Sequence, residues 1–412
     1  MAATPTARGF ETHLGYWSGA EDYTAHVVDG TYDFFNGITP AAEYNGTFST
    51  YVFTDAASRV IAAHAAGADG GAPLFLYLAF QNVHWPLEAP ADIVARFANT
   101  TGGSTQRQLV CAMAAFLDEA VGNVTAALRA AGMYDDTVIV LVSDNGGPTD
   151  LDEGTFSNNF PLRGGKNTLF AGGTRVVGMV RGPGVAAGAA SSAPVHATDW
   201  LPSLVSLATG GRDFRDFAPS GEPPYQAGDG LDVWASIASG GAAATPRDWL
   251  LLEAHSGGAY LTHGDALIVG DMKLLSVGPE CPSMENSWVP PPGQDAQSTP
   301  YLVRCGGAAG PRVGPADAKA CLFPAVCLFN ITADPCEYND LAKQRPDTVA
   351  QLQARLAVYE ATAVPPLVPA GCLPHIVQVP CGPGIAGLCP AYRPCDAPPL
   401  PPRAAAEGLM AS

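Results

Sequence analysis

Basic residues are scarce in this chain: Lys and Arg total 21 against 39 Asp and Glu, for a formal net charge of −18. A nucleic-acid partner needs a basic face to neutralise its phosphates, so that class is excluded. An acidic balance mostly reflects a solvated surface, and any anionic substrate must be met by local Lys, Arg or metal. No run reaches the roughly 18 uninterrupted apolar residues expected of a membrane span. The opening "MAATPTARGFETHLGYW" lacks the apolar core of a signal peptide. No P-loop pattern occurs, which removes the commonest nucleotide-phosphate cradle. What is there is bulk: 412 residues, 47% of them hydrophobic, enough for a large core and two or three domains.

Cysteine is rare before residue 280 and dense after it. Cys281, Cys305, Cys321, Cys327, Cys336, Cys372, Cys381, Cys389 and Cys395 show no C-x-x-C spacing, so disulfides are the better reading than structural zinc. The last four allow three pairings, which the sequence leaves open. Cys111 sits in a helical pattern and reads as a small buried apolar residue. N-x-[ST] sequons at Asn45, Asn99, Asn123 and Asn330 are candidate glycosylation sites. Cysteines and sequons together predict the secretory pathway, lysosomal, vacuolar or extracellular. The missing signal peptide then predicts that the natural N-terminus lies upstream.

Three apolar runs read as buried parallel-type strands: "PLFLYLAF" (73–80), "TVIVLVS" (137–143) and "TRVVGMV" (174–180). Between the first two, residues 104–133 carry apolar positions at helical spacing, closed by Gly132. Further helices are predicted over 54–66 and 197–208. Strand–helix–strand alternation implies an α/β layer, assigned to 1–208. A Gly-, Pro-, Asp- and Ala-rich stretch at 209–247 reads as a linker or surface excursion. A smaller α+β unit follows over 248–365, with strands in "DWLLLEAHS", "DALIVG" and "MKLLS" and an amphipathic helix at 346–363. Residues 366–412 form a Pro- and Cys-rich tail.

Chemistry-bearing residues fall at predicted strand ends, where open α/β sheets gather ligands. Asp144 and Asn145 follow one apolar run and precede a Gly pair; their oxygens are hard donors suited to Ca²⁺ or Mg²⁺, or else they close a local Asx turn. His84 lies just past another run, in a segment stiffened by Pro86. Arg163, Lys166 and Arg175 stand among four glycines in "PLRGGKNTLFAGGTRVVG", where they would meet a sulfate or phosphate, or else form a flexible charged loop.

The order of these pieces, with "FLYLAFQNVHWPL", "SDNGG", "PLRGGKNTLFAGGTRVVG", "RGFETHLGYWSGAEDY" and "LFNITADPCEYNDLA", resembles the type I sulfatases, and among them the arylsulfatase B-like branch. The resemblance spans nearly the whole chain and weakens after residue 365. It implies an alkaline-phosphatase-like fold, a mixed and mostly parallel sheet with helices on both faces, plus a smaller C-terminal α+β domain. It also implies cleavage of sulfate monoesters with one Ca²⁺ and a formylglycine nucleophile. By motif, Asp144 and Asn145 would be calcium ligands, His84 would face the ester's leaving oxygen, and Lys166 would hold sulfate oxygens. Arg163 and Arg175 are left as supporting residues. Sulfated small molecules or sulfated glycans are the implied substrates.

The pattern is incomplete. Neither C-x-P-x-R nor S-x-P-x-R, the family's nucleophile motif, occurs; "CLPHI" at 372–376 has Ile376 where Arg is required. The family's early paired aspartates and its "GKWHLG" segment are missing too, and Ala171 stands where relatives often have Glu. A start one segment late accounts for all of these, and turnover by the 412 residues alone is not expected. Two alternatives remain: a non-catalytic relative that binds sulfated glycans, and a phosphodiesterase of the same superfamily. The latter uses clustered histidines, and the eight here form no H-x-H or H-x-x-x-H. Substrate identity and oligomeric state are not legible.

Overall fold

The computed structural model describes residues 4–28, 30–68, 70–101, 103–148, 157–217, 229–254, 264–277, 303–304, 312–313, 325–363, 376–380 and 388–392. The chain divides into two units, one made of Met1–Gly46, Ser256–Ala259 and Val364–Ser412, the other of Thr47–His255 and Tyr260–Ala363. Cys281, Cys305, Cys321, Cys372, Cys381, Cys395 and most of the predicted tail lie outside the described residues.

The first unit is built of short antiparallel pairs. Phe35–Asn36 pairs with Leu14–Gly15 and with Thr39–Pro40, Val27–Val28 with Thr31–Tyr32, and Ile376–Pro380 with Leu388–Tyr392. Its interior is polar as well as aromatic. Asp33 is fully buried and accepts from the Trp17 and Ser18 amides at 3.1 and 2.8 Å, which offsets its desolvation. Beside it, His26 Nδ1 lies 3.1 Å from a Glu21 oxygen, with both side chains buried.

The second unit holds α1 (Ser49–Ala65), α2 (Ala91–Ala95) and α3 (Thr105–Ala130). The Ser104 hydroxyl accepts from the Arg107 amide, satisfying one of the donors that a helix start leaves open. Ile93, Ala112 and Phe116 form the core between α2 and α3, with Phe48 edge-on to Phe116. By length and composition α3 would also cross a membrane, at mean hydropathy 1.4, yet here part of its apolar face packs on α2.

Next come β1 (Ile139–Val142), α4 (Ala171–Thr174) and β2 (Gly178–Arg181). Two expectations are corrected here. β1 and β2 pair antiparallel rather than parallel. The run 73–80 joins no sheet among the described residues, and Phe75 and Tyr77 are 64% and 73% exposed. A continuous apolar run signals burial on two faces but carries no information on strand direction or on which neighbour completes the ladder.

Helix α5 (Trp200–Thr209) and the short α6 (Trp234–Ala238) follow. Arg247, buried, donates to the buried Asp199 from Nε at 2.6 Å and also reaches the Asp229 and Trp249 carbonyls. Thus the described part of 209–247 ends on a buried arginine that pairs with Asp199 outside it.

Four strands then form an antiparallel sheet: β3 (Trp249–Glu253), β4 (Gly264–Val269), β5 (Met272–Val277) and β6 (Ala325–Asn330), in the order β6-β5-β4-β3. Period-two alternation sorts its side chains. Leu267, Leu274 and Leu328 face Leu352 and Leu356 of α7 (Pro346–Thr362). Ala266, Leu275, Cys327 and Phe329 face the other way and enclose Leu169 and Phe170. That second face backs the loop that carries Lys166. Cys327 and Cys336 each belong to a disulfide, and Cys111 is free and half-buried rather than buried.

Candidate active site

His84 is held by the residues just before it. Ser49 in the first turn of α1 donates to Gln81 Oε1 at 3.1 Å, and Thr50 donates to Asn82 Oδ1 at 2.6 Å. Asn82 Nδ2 in turn donates to the Met113 carbonyl of α3 at 3.2 Å. Side chains therefore fix the end of the 73–80 run where ladder bonds do not. Beyond them, the half-buried His84 has Nδ1 2.6 Å from the Trp85 carbonyl, which assigns the ring proton to Nδ1 and leaves the Nε2 lone pair outward.

That lone pair meets Lys166, whose Nζ lies 3.1 Å from His84 Nε2. The two residues stand 82 positions apart. An ammonium donating to a neutral imidazole nitrogen is the protonation pattern that suits both of the ring's contacts.

Lys166 is carried on a loop interlocked with the turn after β1. Its amide donates to the Gly147 carbonyl at 3.2 Å, and the Gly146 amide donates to Gly173 O at 2.9 Å. Asn159 clasps the same place, accepting from Gly147 N at 2.9 Å and donating to Gly147 O at 2.7 Å and Gly164 O at 3.1 Å. Glycine is required by this closeness: a Cβ on Gly146 would sit 1.7 Å from Gly172 O, and one on Gly172 would sit 2.2 Å from Gly164 O.

Asp144 and Asn145 open this turn, Asp144 exposed and Asn145 half-buried. Asp144 Oδ1 accepts from the Asn145 amide at 2.8 Å, the local turn bond weighed in the sequence reading. The structure joins His84 to Lys166 by side chains, and joins that pair to Asp144 and Asn145 through backbone. The carboxylate and amide oxygens are of the type that Ca²⁺ takes, but two residues supply only part of the six to eight oxygens it prefers. Among the described residues no group of three or more His, Cys, Asp or Glu gathers to hold a metal.

Of the other two cations, Arg175 is exposed, whereas Arg163 is turned inward. Its Nη1 donates to Glu337 O at 3.2 Å, its guanidinium lies 3.9 Å from the Phe170 ring centre, and burial pulls its pKa down to about 10. Arg163 thus supports the loop and does not face a ligand beside Lys166. Asn45, Asn99 and Asn123 are exposed, while the Asn330 Oδ1 accepts from the Thr332 and Ala333 amides.

Sequence reasoning missed the residues underneath the loop. Lys273 of β5 is buried, pairs with Glu337 and donates to the Leu169 carbonyl at 2.6 Å. Glu337 Oε2 accepts the Ala171 amide at 2.6 Å, at the start of α4. One signal was available: strand alternation puts Lys273 on the same face as Leu275.

The sequence profile of the family described as "Sulfatase" matches residues 1–211, more than half of the chain. The chain belongs to the sulfatase family. Arylsulfatase J of Mus musculus is 34% identical over 389 residues, covering 88% of this sulfatase chain and 58% of the relative. N-acetylgalactosamine-6-O-sulfatase of Bacteroides thetaiotaomicron is 25% identical, covering 69% of this chain and 46% of its own. The chain therefore spans about half the length of these curated sulfatases. Among solved structures, Ps i-CgsB in complex with k-i-k-neocarrahexaose matches with a TM-score of 0.64 and 23% identity, covering 87% of this chain and 68% of that one. The fold is the α/β fold of the alkaline-phosphatase type, with the antiparallel sheet and α7 as its smaller α+β part.

Proposed function

We propose that this sulfatase-family chain carries the sulfate-holding part of a sulfuric ester hydrolase acting on sulfate monoesters of sulfated sugars. The observation that supports the reading is the His84–Lys166 contact of 3.1 Å, set on the loop bonded to the Asp144–Gly147 turn. A sulfate monoester is anionic and resists a nucleophile until its oxygens are neutralised. The Lys166 ammonium supplies that charge within an otherwise acidic protein. His84 Nε2 is the atom to face the bridging oxygen. A proton on Lys166 Nζ stands within hydrogen-bond reach of Nε2, so the pair can hold the proton that a leaving alkoxide needs.

Asp144 and Asn145 are the residues to hold part of a Ca²⁺ shell, and the bound ion would add positive charge against the sulfate oxygens. The formylglycine that the family resemblance implies has no motif in these 412 residues, so no step is assigned to it. Sugar esters are favoured as substrates because a relative is named for a sulfated amino sugar and a structural neighbour was solved with a neocarrahexaose. The arylsulfatase B-like branch, a secretory location and glycosylation at Asn45, Asn99, Asn123 and Asn330 belong to the same reading. A non-catalytic binder of sulfated glycans is the second reading.

The test is titration of the full chain with inorganic sulfate and p-nitrocatechol sulfate, alongside Lys166→Met and His84→Gln. Saturable binding that both substitutions weaken, without hydrolysis, is expected. Binding unaffected by Lys166→Met would overturn the site, and strong turnover would overturn the assignment of a binding role alone. Strong turnover would also dispose of the non-catalytic reading.

A further inference from the structure

Lys166 sits in a loop with little regular structure, yet its Nζ meets His84 across 82 residues of sequence. Something must hold its backbone. Backbone bonds to Gly146 and Gly147 secure one side. On the other side the loop rests on the inner face of the antiparallel sheet, and there the contacts are charged. Lys273 reaches out of β5 between apolar neighbours to the Leu169 carbonyl, three residues past Lys166. Its partner Glu337 takes the Ala171 amide, five residues past Lys166, while the Glu337 carbonyl takes Arg163, three residues before it. One buried carboxylate residue thus bonds the loop on both flanks of Lys166.

We propose that Lys273 and Glu337 are positioning residues for Lys166, setting the direction of its ammonium toward His84 and toward an anion placed there. The functional half of this rests on the sulfate-holding role proposed for Lys166; the geometrical half does not. A charged pair fits the task because its bonds are directional, whereas apolar burial of Leu169 and Phe170 alone would let the loop slide along the sheet face. Phe170, at the N-cap of α4, has no side-chain oxygen to bond the helix start, and the carboxylate that takes the Ala171 amide comes from Glu337 instead.

The test uses the full chain with its eight histidines labelled by ¹⁵N in the ring, the His84 signal being assigned by its loss in His84→Gln. Lys166→Met sets the size of the shift when the ammonium is gone. The double variant Lys273→Met/Glu337→Gln removes both charges and leaves neither unpaired. It is expected to move the His84 ring signal in the same direction as Lys166→Met and to weaken inorganic sulfate binding about tenfold, the size of one charge-assisted hydrogen bond. Ala171→Pro removes the amide that Glu337 accepts and sets a ring carbon against that carboxylate, at a first helical position where proline is otherwise tolerated, and should give a shift of the same sign. It decides the matter should the double variant not fold. As a control for general loosening, Arg247→Met/Asp199→Asn removes a buried pair bonded to other segments and should leave the His84 signal in place. A folded double variant, or Ala171→Pro, with parental His84 signal and parental sulfate affinity overturns the inference. A His84 signal that follows the brace in a protein that binds no sulfate supports the positioning role and overturns the proposed function instead.

Discussion

The two segments that deliver His84 and Lys166 are held in opposite ways. The 161–175 loop has almost no ladder bonds but is sealed by a buried ion pair, interlocked glycine backbones and a core that takes in Leu169 and Phe170. The 73–84 segment has the sequence of an interior strand, yet it lies extended with Phe75 and Tyr77 exposed and is tied to α1 and α3 through Gln81 and Asn82. The difference teaches that apolar content and rigidity are separate properties. A polar, glycine-rich loop is the firmer support here because the buried Lys273 and Arg163 and the Ala171 amide all meet acceptors.

Breaking the firm side should cost most. Glu337→Ala strands Lys273 in the core and should destabilise the protein by about 3–5 kcal/mol in urea unfolding; a loss below about 1 kcal/mol would show that the pair does not hold the loop. The first unit sharpens the contrast through Glu21, whose buried carboxyl lies 3.1 Å from His26 Nδ1. Burial pushes Glu21 up to about 7, against the lowering influence of His26. Between pH 4.5 and about 7 the folded state keeps a proton that the unfolded chain has released, so stability falls as pH rises through that window. The drop should be on the order of 2–3 kcal/mol and should disappear in Glu21→Gln; an unchanged slope in that variant would remove Glu21 as its source.

Gly146→Ala forces a methyl into the Gly172 carbonyl and should destabilise by about 1–3 kcal/mol, with a crystal structure showing the two backbones driven apart. Asn82→Ala should lose about 1 kcal/mol and raise amide exchange over 81–85, since it deletes the bonds from Thr50 and to Met113. Smallest of all, Tyr77→Ser on the open segment should stay within about 0.5 kcal/mol of the parent. A large loss there would mean that the exposed run is covered in solution and that the comparison is misdrawn.

Much of the local structure was legible. Ser104 and Gly132 bracket α3 as capping and termination chemistry require, and Pro346 opens α7 at the position that proline favours. Less legible was β6, whose apolar "AVCLFN" runs into the stretch at 328–342 read for its family likeness. Strand direction in β1 and β2 was not legible at all, because hydrophobic runs encode burial and not partner order. At the candidate site, His84, Asp144 and Asn145 were visible as polar residues set against apolar runs, and Lys166 as a cation among glycines. Arg163, left as a supporting residue in the sequence, is buried against Phe170. Lys273 and Glu337 could not be paired in advance, since 64 residues separate them.

By itself the sequence determined where α3 and α7 start and stop, which faces of the antiparallel sheet are apolar, and which motifs place the chain among the sulfatases. These depend on local sterics, capping and period, all of which act over a few residues. Only the tertiary structure decided that Lys166 touches His84, that Arg163 turns inward, and that a strand lysine and a distant glutamate bolt down the loop. Such pairings follow from long-range closure, where the penalty for burying a charge is met only once the chain has brought its partner within bonding distance.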